Sequence, residues 1–471
     1  MIQRELDVPP TVLTQLATAY PERYPVFFDS AADGPLSRTS VLVGQPRAAL
    51  WLDAQGRIRV EGPIPPGVVV PGEGFLRALE RWVASEPIAT GGEPDAADLP
   101  FRGGWAVFLG YELAGEVEPR LALPRSSGSD TWQAFALRVP CALVHDKLSG
   151  KVRAIAEKSA AEALAAVERD ARALAQAGSA ASTTPAPPAV ARIIEEEPTA
   201  YLERVRRGKE YIRAGDIYQT NLSRRWRVAL RGDADVARLY QRLRAVNPAP
   251  FAALAQWRGG AVLSSSPERL LRVIGRRIET RPIAGTRPRS LQPGEDAREM
   301  AALAAHPKER AEHIMLIDLE RNDLGRVCEA GTVRVEELMS IESYAHVHHI
   351  VSSVTGTLRP EVTAVDALRA VFPGGTITGC PKFRCMQIIA ELEGEARGAY
   401  TGSLGFIGPD GTMDFNILIR TMTVAGRAIE FRAGAGIVAD SDPERELEEC
   451  RAKARGLLAV FGATARTGAA A

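Results

Sequence analysis

Carboxylates at helical spacing are the first residues in this chain equipped for chemistry. Glu309 and Glu312 stand at i and i+3 in KERAE (308–312), on one face of a helix. Glu446 and Glu449 repeat the spacing, and Lys453 follows one turn later. Glu312 precedes the apolar run Ile314–Ile317, so its helix is expected to be partly buried. Four carboxylates from two helices would make an all-oxygen site suited to Mg²⁺, which keeps several of its waters. The alternative is a solvated acidic face, because 442–449 (DPERELEE) is acid-rich throughout.

Three further segments carry reactive or permissive residues. AGAGIVADS (433–441) puts Gly434 and Gly436 at a strand edge, where a ligand carboxylate can approach backbone N–H groups; a tight turn or bulge would need the same glycines. His348 and His349 are adjacent in an apolar run, so a strand would aim at most one of them into any site. FPGGTITGCPK (372–382) has the glycines of a phosphate loop but Cys-Pro after Gly379 where Lys-Ser/Thr is required. Its Cys380 is read as a small buried side chain in a turn rather than as a nucleophile.

The elements that must hold these residues follow from periodicity. Short apolar runs punctuated by Gly and Pro (PVFFDSA, SVLVG, AALWLD, RIRVEG, GWAVFLGYEL, CALVHD) make the first 175 residues strand-rich. Residues 176–190, rich in Gly, Ala, Ser, Thr and Pro, read as an exposed linker between parts 1–175 and 191–465. Beyond it, YLERVRRGKEYIRAG and VARLYQRLRAV have helical spacing, and long helices are expected at 295–318, 381–393 and 443–461. GAVLSSSPERLLRVI, SYAHVHHIVSSVTGTL, TGSLGFIG, FNILIRTMTVAG and AIEFRAGAGIVAD read as strands. Strands and helices do not alternate strictly, which favours an α+β fold over a parallel doubly wound sheet.

Composition narrows the function classes. The 58 Lys and Arg balance 58 Asp and Glu, and no dense basic run occurs, so no nucleic-acid partner is expected. No uncharged apolar run reaches the ~18–20 residues of a membrane span. MIQRELDVPPTVL lacks the layout of a signal peptide. The five cysteines form no CxxC pair and no even framework, so a cytoplasmic setting is expected.

Taken in order, GDIYQTNLS (215–223), SSPERLLR (265–272), RPIAGTRPR (281–289), ERAEHIMLIDLERNDLGRV (309–327), HVHHIVS (346–352), FPGGTITGCPK, AYTGSLG (399–405) and AGAGIVADS resemble the chorismate-utilising enzymes. That family includes component I of anthranilate synthase and of aminodeoxychorismate synthase, with isochorismate and salicylate synthases as relatives. The likeness is dense over roughly 195–462 and loose before it. It implies a sandwich of two large, mostly antiparallel sheets with helices outside and the active site between them.

The resemblance also implies roles. Glu312 and Glu449 match Mg²⁺ ligands, with Glu309 and Glu446 reaching the metal or its waters. Gly285 and Thr286 match contacts beside the chorismate ring, and Thr378 belongs to the same substrate set. Tyr400, Arg420 and the backbone at Gly434, Ala435 and Gly436 match the clamp on the enolpyruvyl carboxylate. Glu268 matches the acid/base at the C4 hydroxyl, His349 the imidazole beside the ring, and Lys453 a cation near the substrate. Gln219 stands where isochorismate and salicylate synthases carry a water-activating Lys, so ammonia is favoured over water as nucleophile. No glutaminase nucleophile elbow surrounds any of the cysteines, which implies ammonia from a separate glutamine amidotransferase subunit.

Two sets of residues disagree on where the nitrogen goes. GDIYQTNLS, HVHHIVS and TGCPKFRCM look more like aminodeoxychorismate synthase, so amination of chorismate to 4-amino-4-deoxychorismate is the expected activity. Ala284 in PIAGT matches anthranilate synthases, which makes anthranilate plus pyruvate the alternative; the other type carries Lys there. PVFFDS (25–30) and PLSRTS (35–40) occupy the region of a tryptophan pocket, and tryptophan is a possible ligand of it.

Overall fold

A computed structural model gives the structure of residues 1–34, 36–86, 99–125, 131–178, 184–290, 292–343 and 347–463. Period-two patterning decides the architecture. Strand Gly104–Leu109 is buried along its whole length, with Trp105 and Val107 in one apolar cluster and Ala106 and Phe108 in another. Strand Thr39–Gly44 divides the same way, Val41 and Val43 against Leu42. Strands buried on both faces need a layer on each side.

The apolar side chains accordingly form three slabs. One lies between two sheets and holds Val26, Val43, Phe108 and Phe135. A second lies under the helices outside the first sheet, with Leu16, Val167, Tyr201 and Leu457. The third lies under the helices outside the second sheet, with Leu79, Trp82, Ile317 and Leu368. Among the described residues the first sheet has 12 strands and the second 11, all paired antiparallel. This is the expected α+β sandwich.

Strands from either side of residues 176–190 share both sheets. Phe251–Trp257 pairs with Val26–Asp29 in the first, and Ser403–Ile407 with Gly104–Leu109 in the second. Helix Ala161–Gln176 ends where that segment begins, and its residues 179–183 lie outside the described residues, as do 464 and 465. The helix expected over 295–318 is two helices, Pro293–Ala305 and Pro307–Gly325. His306 is extended (φ −69°, ψ 113°) because the ring of Pro307 disfavours helical backbone in the residue before it. The helix expected over 443–461 is Pro443–Leu458 followed by a 3₁₀ turn, Ala459–Phe461. No helix among the described residues is long and apolar enough to cross a membrane.

Two places where the chain changes sheets set up the site. Strand Gly260–Ser266 belongs to the first sheet and Arg269–Ile274 to the second, with Glu268 in the crossing. Met413–Ile417 belongs to the second sheet and Thr421–Ala425 to the first, with Arg420 in the crossing. Backbone bonds tie the crossings together: Ile417 N–H donates to the Glu268 carbonyl at 3.0 Å, and Ser265 N–H to the Arg420 carbonyl at 3.1 Å.

Candidate active site

Glu268 and Arg420 are therefore neighbours by topology. Glu268 is 4% exposed, and the Thr376 hydroxyl donates to its Oε1 at 2.8 Å. Burial pushes its carboxyl up to about 8; the Thr376 bond, the Ile283 N–H and the Arg420 charge pull against this, while the Glu320 charge adds to it. Arg420 has left-handed backbone (φ 50°), a costly conformation for a side chain of its size. Its guanidinium donates to no described residue, burial draws its pKa down, and Glu268 supplies the opposing charge. The pair is an acid that holds its proton at neutral pH beside a cation with capacity for an anion.

Helix Pro307–Gly325 carries Glu309 and Glu312, and helix Pro443–Leu458 carries Glu449. Gln219, 3% exposed at the start of strand Gln219–Leu230, donates through Nε2 to Glu312 Oε1 at 2.8 Å. Its own Oε1 is buried with no hydrogen-bond partner among the described residues. The Glu312 carboxyl is raised, by burial first and then by the charges of Glu309 and Glu449, while Gln219 and Lys453 oppose the rise. Among the described residues no group of three or more His, Cys, Asp or Glu is drawn close enough to hold a metal by itself. The donor set nevertheless fits a hard dication that keeps water ligands: carboxylate oxygens whose mutual repulsion raises Glu312 are the partners such an ion takes. Glu446 is buried, and its charge, with that of Glu449, acts on the buried Tyr201 hydroxyl.

Strand Ile283–Pro288 carries Ala284 and a bulge at Gly285, because the register with strand Val347–Thr357 slips between Ala284 and Thr286. Gly285 has φ 65°, and a Cβ there would stand 3.0 Å from Glu309 Oε2, so the bulge brings backbone against the carboxylate helix. The Gly285 carbonyl lies 3.3 Å from His349 Nδ1. That contact puts the imidazole proton on Nδ1 and the lone pair on Nε2. Burial, then the Arg420 charge, lowers His349 to about 3, so the ring is neutral. Thr286 is paired with His349 through the backbone. His348 faces the other way and contacts Asp296 at 2.9 Å and Ser343 at 2.7 Å.

Strand Ala428–Ile437 lies beside Gln219–Leu230, with Gly436 opposite Asn221 and Ala435 opposite Leu222. A Cβ on Gly434 would stand 2.7 Å from the Tyr400 hydroxyl, and one on Gly436 2.4 Å from Gln219 Nε2. Both glycines lie in a paired strand rather than in a tight turn, and they admit side chains from neighbouring elements. Lys453 Nζ donates to the Gly434 carbonyl at 3.0 Å and pairs with Glu449 at 2.8 Å. Burial lowers its ammonium, but Glu449 outweighs that and the pKa is raised. Tyr400 is fixed from behind by a buried ion cluster. Glu393 accepts from Ser223 N–H, Arg397 and Arg432, and the Arg397 guanidinium sits 5.6 Å from the Tyr400 ring centre.

Sequence reasoning missed Thr376, Glu320, Asp323 and Lys382. Glu320 and Asp323 are 5% and 2% exposed on the same helix as Glu312, and Lys382 pairs with Asp323. Thr378 is buried, its hydroxyl donating to the Gly374 carbonyl at 2.8 Å to close the loop that presents Thr376. Cys380 lies in that segment, half-buried, and burial pushes its thiol up, away from nucleophilic use. A cavity of about 290 Å³ is lined by Phe28, Asp29, Ser30, Arg38, Thr39 and Phe251, so parts of PVFFDS and PLSRTS do meet. Asp29 accepts from Tyr240 at 3.1 Å and pairs with Arg244. Pro35 lies outside the described residues, as does His346.

Residues 72–459 match the family described as chorismate binding enzyme. The chain is 44% identical over 400 residues to anthranilate synthase component 1 of Streptomyces coelicolor, covering 81% of this chain and 76% of that protein. It is 52% identical over 259 residues to anthranilate synthase component 1 of Thermus thermophilus, covering 55% of this chain and 56% of that protein. The crystal structure of anthranilate synthase component I from Streptococcus pneumoniae superposes with a TM-score of 0.75 at 30% identity, covering 89% of this chain and 92% of that one. These relatives carry the name of the alternative drawn from Ala284, and they favour it over the aminodeoxychorismate expectation.

Proposed function

The chain belongs to the chorismate binding enzyme family, and from that premise we propose that it aminates chorismate at C2 and releases anthranilate and pyruvate, as component I of an anthranilate synthase. The observation that carries the reading is the protonated Glu268 beside Arg420, whose guanidinium donates to no described residue. Chorismate is a dianion with a C4 hydroxyl, and it needs a cation and an acid. Arg420 and the Tyr400 hydroxyl hold the enolpyruvyl carboxylate, with the Gly434–Gly436 backbone beneath it. Ammonia accepts orientation from the Gln219 carbonyl oxygen and adds at C2 as Glu268 gives its proton to the departing C4 hydroxyl. The proton shed by the new C2 ammonium group restores Glu268. The neutral His349 imidazole then takes the C2 proton on Nε2 as the C3–O bond breaks. It passes that proton to the methylene carbon of the departing enolpyruvate, which leaves as pyruvate while the ring becomes aromatic. Ala284 leaves C2 open to ammonia, where a lysine would occupy it.

Glu309, Glu312, Glu446 and Glu449 would hold Mg²⁺, which supplies charge neutralisation and electron withdrawal at the ring carboxylate when bound. A separate glutamine amidotransferase subunit supplies the ammonia, and tryptophan is the ligand assigned to the cavity around Phe28–Ser30. The test is product identity from chorismate, Mg²⁺ and ammonium chloride. Anthranilate fluorescence with equimolar pyruvate, abolished by EDTA, is expected. The second reading rests on GDIYQTNLS and TGCPKFRCM: a product that yields 4-aminobenzoate only after a lyase is added, without prior pyruvate, would establish it instead. Inhibition by tryptophan in the same assay checks the cavity.

A further inference from the structure

One buried acid has no part in the reaction just described. Glu320 faces the loop 374–378, and the Gly375 backbone lies against its carboxylate. A Cβ on Gly375 would stand 3.2 Å from Glu320 Oε1 and 2.5 Å from Leu319 Cδ2, so the loop backbone lies directly against this helix. The next residue, Thr376, donates to Glu268 Oε1 at 2.8 Å. Asn221 N–H donates to the Thr378 carbonyl at 2.9 Å, anchoring the far end of the loop to the strand that carries Gln219.

The charges around the pair are few. Glu268 faces Glu320 and Arg420. Glu320 faces Asp323 and Lys382, and Asp323 faces Lys382 and Arg326. Lys382 is committed to Asp323 and to the Val371 carbonyl at 3.1 Å.

We propose that Glu320 is a positioning residue for Glu268: it fixes the Gly375–Thr376 backbone so that the Thr376 hydroxyl orients the Glu268 carboxyl, and above neutral pH its negative charge keeps the proton on that carboxyl. The inference rests on Glu268 acting as the acid in chorismate amination. It is tested with the whole chain, Mg²⁺, chorismate and ammonium over pH 6.5–9.5, as the ratio of variant to wild-type rate, in which the titration of ammonia cancels. Glu320→Gln keeps the size and an oxygen beside Gly375 and removes the charge. Its ratio is expected to be flat below neutrality and to fall about tenfold above pH 8, as the basic limb moves down by about one pH unit, with KM for chorismate within about twofold. Thr376→Val removes a hydrogen bond that favours the ionised form, and its basic limb is expected to move up. A merely structural role predicts uniform losses, without opposite shifts. A ratio for Glu320→Gln that does not change with pH overturns the inference; should that variant not fold, a limb for Thr376→Val that stays or moves down overturns it. A wild-type chain that makes no anthranilate refutes the activity itself, whereas a flat ratio in an active enzyme refutes the role of Glu320 alone.

Discussion

Replacing Glu268 by Gln should make the protein more stable and nearly inactive, and both effects follow from one burial. The carboxyl titrates at about 8 in the fold against 4.5 for the ordinary side chain. At pH 7 it is then about 90% protonated, where an unshifted carboxyl would be below about 1%, a gain of roughly two hundredfold or more in available acid. The stability sign is the reverse of the usual acid. The folded state binds the proton more tightly than the unfolded chain, so no cost exists below pH 4.5 and stability is lost as pH rises from there towards 8. Linkage puts the loss at about 3 kcal/mol at pH 7, approaching about 5 kcal/mol above pH 8. Glutamine accepts from Thr376 and Ile283 without a titration, so E268Q should gain up to these amounts. Urea midpoints of wild type and variant at pH 5 and pH 8 measure it, together with anthranilate formation from ammonium. General acid catalysis contributes about 10²–10⁴-fold, so turnover should fall at least a hundredfold. A variant retaining a tenth of the turnover, or a stability gain that does not grow between pH 5 and pH 8, refutes the reasoning.

The remaining predictions concern the framework around that acid. Gly436→Ala places a methyl carbon 2.4 Å from Gln219 Nε2 and must displace the amide from Glu312. The loss of that bond, about 1 kcal/mol, should raise the Mg²⁺ concentration for half-maximal activity about fivefold while thermal stability stays within a few degrees; unchanged Mg²⁺ dependence would sever Gln219 from the carboxylate site. Burial raises the Glu393 carboxyl, but Arg397 and Arg432 overcome it and hold it at about 2 against the ordinary 4.5. Its contribution is therefore present above pH 4.5 and disappears as pH falls towards 2, so Glu393→Gln should cost about 3 kcal/mol at pH 7, narrowing to about 1 kcal/mol by pH 3. Denaturant titrations of the two proteins across that range check the narrowing, and a constant gap would contradict it.

What the sequence discloses depends on whether a residue's environment is local. Strand Thr39–Gly44 is legible because alternate residues serve two slabs of core, and period two is visible in SVLVG. Strand Gln219–Leu230, the framework of the site, is opaque: QTNLSRRWR has no apolar face. Arg224 is nonetheless fully buried, because Glu195, 29 residues earlier, pairs with it. Glu309 and Glu312 could be placed on one helix face by spacing alone, but that spacing fits a solvated face equally well. Glu320 and Asp323 lie further along the same helix and look no different in sequence. Glu320 is covered by the loop 374–378 and Asp323 is paired with Lys382, both from more than 50 residues away. Pro307, by contrast, is a local signal for the break at His306, which the expectation of one helix over 295–318 passed over.

Glu268 and Glu393 show why the site needs an incomplete set of charges. Both are glutamates with only a few percent exposure, yet one titrates near 8 and the other near 2. Burial acts on them alike, so the neighbours decide. Glu393 has two guanidiniums bonded to it. Glu268 has one, Arg420, acting only through its field and opposed by Glu320. That difference has a consequence for the order of events. The Arg420 charge lowers the Glu268 pKa, and a substrate carboxylate bound to Arg420 would cancel it. The acid should therefore hold its proton more firmly with chorismate in place than without it. The basic limb of kcat is then expected at higher pH than that of kcat/KM once both are corrected for free ammonia, because kcat reports the complex and kcat/KM the free enzyme. Coincident limbs would mean that the anion does not sit on Arg420.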